Sequence, residues 1–134
     1  MSTFHRKFTG AFTLVEIMIV VAIIALLAAM ALPNFLRARK RAQATVILSA
    51  LRAIDSAMDQ YALETSKGAG ATVSWSDVRG YLKVSSGVYS SAGNDLFGSA
   101  YVGFTVDTIP RLNVTTFNRL SDATPVEFWS PFYP

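Results

Sequence analysis

From Phe12 to Leu32 the chain reads FTLVEIMIVVAIIALLAAMAL, 21 residues in which Glu16 is the only charge. At about 1.5 Å rise per residue, a helix of this length spans roughly 30 Å, the thickness of a bilayer hydrocarbon core. A helix of a soluble domain is rarely apolar on every side for that distance, so the pattern predicts a membrane span. A cleaved secretory signal fits less well. Its apolar core runs about 7–15 residues before a small-residue cut, whereas this run is longer and is followed by Pro33 and Asn34. A plain anchor fits the length and leaves Glu16 unexplained, because a carboxylate in hydrocarbon is costly unless it is paired. Two readings of Glu16 stay open: a charge tolerated near a helix end, or a charge whose partner arrives on assembly.

Beyond the span, Pro33 lacks a backbone donor and clashes with the preceding turn, so a kink or a loosening of the helix is expected there. The helical pattern resumes from Phe35 to about Thr65. Ile47, Leu51, Ile54, Met58 and Tyr61 alternate spacings of four and three and form one apolar stripe, with Arg52, Asp55, Asp59 and Glu64 mostly off it. The stripe is read as the seat of a small head, with a dimer seam as the alternative. Ser66–Ala71 (SKGAGA) ends the helix. Ser74 and Asp77 have capping-box spacing and predict a short helix through Leu82, with Trp75, Val78 and Leu82 on one face. Ser85–Gly98 is Ser/Gly-rich and reads as a loop; Asn94 and Asp95 there suit a turn, with a calcium site as the alternative. Tyr101–Val106 is expected to be a strand. Asn113 is expected to cap a helix carrying Val114, Phe117 and Leu120. The aromatic segment Pro125–Pro134 is expected to pack back on the long helix, with an exposed adhesive patch as the alternative.

Composition narrows the function. Hydrophobic residues make up 51% and charged residues 16%, and the formal net charge is +3. The basic residues cluster at His5, Arg6 and Lys7 and again at Arg37, Arg39, Lys40 and Arg41. The second cluster suits lipid headgroups or a nucleic-acid backbone, and its plain reading is a solvated collar beside the membrane. No aromatics interleave it, which argues against single-strand binding. There are no cysteines and His5 is the only histidine. That excludes a disulfide framework, a thiol nucleophile and a histidine-based triad or metal site in the part after the span. Asp77, Asp95, Asp107 and Asp122 show no pairing pattern that points to catalysis. No enzyme activity, cofactor, metal or small-molecule substrate is expected.

The segment GAFTLVEIMIVVAIIALLAAMALPNFLRAR resembles the N-terminus of type IV pilins and type II secretion pseudopilins. In that family a prepilin peptidase removes a short basic leader at the cytoplasmic membrane face and methylates the new N-terminal residue, usually Phe. A Glu stands fifth in the mature chain and a Pro commonly twenty-second. A cut before Phe12 makes Glu16 fifth and Pro33 twenty-second together. The resemblance thus implies a processing site at Gly10, Ala11 and Phe12, N-methylation of Phe12, assembly through Glu16 and a helix kink at Pro33. This chain departs from the family in having Ala11, not Gly, before that cut. A cut after Gly10 would leave Ala11 first and Glu16 sixth. The cut after Ala11 is favoured because Phe, Glu and Pro all keep their places.

The expected fold is α+β and pilin-like: a long N-terminal helix, half transmembrane, with a small C-terminal head of short helices and a few strands. The divisions are a leader 1–11, a transmembrane assembly helix 12–32, an exported amphipathic half-helix 33–66 and a head 67–134. The implied function is a structural subunit of a type IV pilus-like filament. The alternatives are a type II secretion pseudopilin and, in another class, a single-pass anchored binding protein that keeps its leader. Implied partners are the prepilin peptidase/methyltransferase, copies of itself or related pilins, an inner-membrane assembly platform and membrane lipid. The resemblance implies a bacterial inner membrane, N-terminus in the cytoplasm, before assembly outside. Counting Arg6 and Lys7 against Arg37–Arg41 points the other way.

Overall fold

The computed structural model describes residues 10–134. The chain forms two units, Met1–Leu36 and Arg37–Pro134, and helix α1 (Leu14–Thr65) contributes to both. In the segment expected to be a leader, His5, Arg6 and Lys7 lie outside the described residues.

In the first unit α1 is apolar all round. Every large side chain from Leu14 to Leu36 is exposed, so nothing in the chain's own described fold covers them. Among the described residues this is the one helix long and apolar enough to cross a bilayer. The helix runs through Pro33 without interruption.

In the second unit the remainder of α1 is amphipathic, and the stripe foreseen from its spacing is the floor of the core. Ile47, Leu51 and Ile54 are fully buried, Met58 and Tyr61 nearly so. Against them pack Val78, Leu82, Tyr101, Leu112, Leu120 and Trp129. The helix ends as expected near Thr65, by a different device. Ser66, not a glycine, takes the left-handed conformation (φ 54°), and the Lys67 N–H donates to the Ala62 carbonyl at 3.2 Å, the pairing of a Schellman stop.

Short helices follow: α2 (Trp75–Arg79), α3 (Gly87–Ser90) and α4 (Val114–Leu120), then a 3₁₀ turn at Val126–Trp129. At α2 the Asp77 carboxylate accepts from the Ser74 N–H at 3.0 Å and the Ser74 hydroxyl at 2.7 Å. The helix stops at Arg79, short of Leu82, and Leu82 is buried from the turn beyond it. Trp75 lies over Gly93, where a Cβ would come within 2.8 Å of the indole; with φ at +81°, that position requires glycine. The stretch expected to be loop contains α3, which Ser86 starts by accepting from the Tyr89 N–H at 3.3 Å. Asn113 caps α4 as expected, accepting from the Thr115 N–H at 3.0 Å. The inward face of α4 is Thr116 and Leu120, however, and Val114 is exposed.

The strand foreseen at Tyr101–Val106 is realised as two separate bridges. Val102 pairs with Arg111 and Thr105 with Thr72, and a third bridge joins Asn94 and Ala100. Gly103 (φ 87°) lies between the first two and Asp107 (φ 65°) follows; these left-handed residues break the extended run before a ladder can form. The C-terminal segment packs back as expected: Trp129 and Phe132 are buried, and the Trp129 Nε1–H donates to Thr124 Oγ1 at 3.2 Å.

The basic cluster is not wholly a solvated collar. Lys40 Nζ lies 2.7 and 2.8 Å from the two oxygens of Asp122, and the Arg41 Nε–H donates to the Ala123 carbonyl at 3.0 Å. Residues 82 apart in sequence thus tie the end of α4 to α1, a pairing that no local pattern announces.

Two outcomes follow for a chain beginning at Phe35, which is expected to be soluble and folded. Replacing Ile54 with Ala should cost about 2–4 kcal/mol in chemical denaturation; a loss near zero would place the stripe outside the core. The Lys40 hydrogen bond holds the Asp122 carboxyl below its usual range. A carboxylate depressed on folding stabilises above its unfolded pKa, about 3.9, and loses that contribution as pH falls through the folded value. The melting temperature of Asp122→Asn should therefore lie below wild type at neutral pH and converge with it in strong acid. A gap that widens on acidification would contradict the pairing.

Candidate functional site

Gly10, Ala11 and Phe12 carry no regular structure and are exposed, an accessible approach to the helix. The helix starts immediately after Thr13. Its beginning, Thr13-Leu14-Val15-Glu16, has the spacing of a reciprocal cap. The Glu16 N–H donates to Thr13 Oγ1 at 3.2 Å, and the Thr13 N–H donates to Glu16 Oε2 at 3.4 Å. Both satisfy donors that a helix N-terminus leaves without intrahelical partners. A carboxylate in the first turn also faces the positive end of the helix dipole. Glu16 was legible as a lone charge; Thr13 was missed as its partner, although the T-x-x-E signal was there to be read.

The structure thus gives Glu16 a local role at the start of its own helix. The second carboxylate oxygen has no hydrogen-bond donor among the described residues, and the neighbouring side chains Leu14, Val15 and Ile17 are apolar and exposed. The group is an acceptor held at one end of an apolar rod. Pro33 lies seventeen residues further along α1, so it is not part of the same site.

The other candidates separate into structural roles. Asp95 is buried, and it makes the turn that the sequence suggested. Its Oδ1 accepts from the Phe97 and Ser99 N–H groups at 2.8 and 2.9 Å, and its Oδ2 accepts from the Thr116 hydroxyl. With both oxygens engaged inward, Asp95 fastens α4 to the loop before it. Asn94 likewise turns back, donating to the Ser91 carbonyl at 3.1 Å. Asp77 serves α2, its carboxyl held below the usual range by the Ser74 hydroxyl and then the Ser74 N–H. Asp122 pairs with Lys40. Among the described residues no three His, Cys, Asp or Glu side chains are grouped to hold a metal. A surface groove beside α1, with Val46, Ala50, Ala53, Val88 and Leu96 among its walls, is mostly apolar and brings no set of titratable groups together.

Residues 6–32 match the family described as the prokaryotic N-terminal methylation motif. The type IV wide pilus major component PilA4 of Thermus thermophilus is 46% identical over 55 residues, 41% of this chain and 42% of that protein. The type II secretion system core protein G of Klebsiella michiganensis is 36% identical over 63 residues, 47% of this chain and 44% of that protein. The protein of the same name from Pseudomonas aeruginosa is 39% identical over 60 residues, 45% and 42% of the two chains. The matched stretch thus spans less than half the length of these relatives. No solved structure matches the chain. Phe12 and Glu16 fall inside the matched motif, so the resemblance that they carried is borne out there: this chain bears the prokaryotic N-terminal methylation motif and is similar, over part of its length, to type IV pilins and type II secretion G proteins.

Proposed function

We propose that this chain is the structural subunit of a type IV pilus-like filament, made as a precursor and polymerised through its N-terminal helix. The observation that carries the reading is the single carboxylate of Glu16 in the first turn of a helix whose large apolar side chains from Leu14 to Leu36 are all exposed. Such a helix needs a bilayer, or other helices of its kind, around it. Residues 1–11 are the leader, 12–32 the transmembrane and assembly helix, 33–66 its exported half and 67–134 the head. Prepilin peptidase cuts between Ala11 and Phe12 and methylates Phe12. The subunit waits in the inner membrane with its N-terminus in the cytoplasm until an assembly platform extracts it. A secretion pseudopilin is the second reading, favoured by the likeness to type II secretion core protein G.

Cleavage creates an amine at Phe12, one residue before the Thr13 N–H that Glu16 caps. In the free subunit water and this amine offset the carboxylate. In a filament Glu16 is surrounded by apolar helices, and the amine of a neighbouring subunit supplies the opposite charge. Two unpaired charges in such surroundings are costly and a pair largely cancels the cost, so pairing selects one axial register. Pro33, which removes one backbone hydrogen bond, gives the helix a place to yield as copies repack.

Intact mass and N-terminal sequencing of sheared filaments should find a mature chain beginning at N-methylated Phe12; a start at Ala11, or an intact Met1, would contradict this. Glu16→Gln and Glu16→Leu should both insert and be cleaved, since leader and cut are untouched. Both should polymerise poorly, and Leu no better than Gln, if Glu16 supplies register. The ratio of sheared filament to membrane-bound subunit measures this. A normal filament yield from Glu16→Leu would remove the pairing mechanism.

A further inference from the structure

The exposed apolar run of α1 ends at Leu36, and Arg37, Arg39, Lys40 and Arg41 follow. The fold divides these four. Lys40 and Arg41 are engaged by Asp122 and the Ala123 carbonyl. Arg37 and Arg39 are exposed and make no hydrogen bond or ion pair with any described residue; Arg37 acts on Asp122 only through longer-range attraction. One cation paired with a carboxylate, one held by a single carbonyl and two with no partner among the described residues therefore lie within one and a half turns.

Position gives the uncommitted pair a partner. Along a helix, Arg37 and Arg39 lie roughly 8 and 11 Å beyond Leu32, at 1.5 Å per residue. The polar layer on each side of a hydrocarbon core is about 5–8 Å thick, and long basic side chains reach back along their stems toward it. With residues 12–32 in a bilayer, the Arg37 guanidinium falls at the level of the lipid phosphates and the Arg39 side chain, starting just beyond that layer, reaches back to it. We propose that Arg37 and Arg39 bind the phosphates of anionic lipid headgroups on the face where the head emerges, while the Asp122 carboxylate withholds Lys40 from that contact. Guanidinium suits this task because it meets phosphate oxygens through two parallel N–H donors. The two arginines are about 200° apart around the helix, at 3.6 residues per turn, so they engage separate lipids on opposite sides. The proposal rests on the membrane-span reading. In the filament-subunit reading, these contacts hold the waiting subunit at a fixed depth and are given up on extraction. Nucleic acid offers the same phosphate chemistry, but the bilayer's phosphates lie within reach of these two side chains by construction of the helix.

The test uses the full chain in nanodiscs of equimolar phosphatidylglycerol and phosphatidylcholine, with retained lipids counted by native mass spectrometry. The leader is common to all variants, so differences report the collar. Arg37→Gln and Arg39→Gln should each lower the preference for phosphatidylglycerol roughly fivefold, the change given by about 1 kcal/mol per basic residue at an anionic surface. The double variant should lose most of the preference. Asp122→Asn, which releases Lys40, should raise it, an effect that a merely structural role for the collar would not produce. An inserted double variant with unchanged preference would overturn this proposal alone. A chain that fails to insert would overturn the span itself. Loss of binding to a duplex DNA oligonucleotide in the double variant, with lipid preference intact, would assign the pair to nucleic acid instead. Filament yield is a separate readout, so a failure of polymerisation leaves the lipid result standing.

Discussion

No element of the head apart from α1 is long enough to hold itself together. Helices α2 and α3 have five and four residues and α4 seven, and isolated helices below about 12–15 residues are marginal in water. There is no continuous strand among the described residues, and no cysteine to staple loops. What remains is one long helix with a dry stripe. Ile47, Leu51, Ile54, Met58 and Tyr61 supply the surface on which every other segment closes. The core of Arg37–Pro134 is therefore organised around the second part of a helix whose first part is long and apolar enough to cross a bilayer.

The polar contacts of the head follow from this dependence. Each short segment is pinned by one well-placed group. Asp95 holds α4 through the Thr116 hydroxyl, Trp129 is fixed through Thr124, and Lys40 and Arg41 fasten the end of α4 to α1. The buried Asp95 matters most among these, because both its oxygens are engaged and an unpaired buried carboxylate is expensive. The exposed Lys40–Asp122 pair contributes little stability by itself. Its consequence is allocation: it commits one cation of a basic cluster to the head and leaves others for the surroundings.

Glu16 shows how one residue can answer two constraints. Within its own chain it completes the cap that Thr13 begins. Within the proposed filament it is the one carboxylate among apolar helices. The two roles are compatible, because a carboxylate has more acceptor positions than the Thr13 N–H occupies.

By itself the sequence determined the elements whose signals are local and strong. The apolar run from Phe12, the stripe at Ile47–Tyr61, the helix end near Thr65 and the Asn113 cap are periodicities and short-range hydrogen bonds, complete within a few residues. The matched motif is of the same kind, since it lies in one contiguous stretch, residues 6–32. Tertiary structure decided the rest. Tyr101–Val106 fails as a strand because Gly103 must adopt positive φ beside the Ile109 carbonyl. Lys40 meets Asp122, and Thr116 meets Asp95, only after α4 docks. The last two are contacts between segments far apart in sequence, and local propensity does not encode which distant segment will arrive.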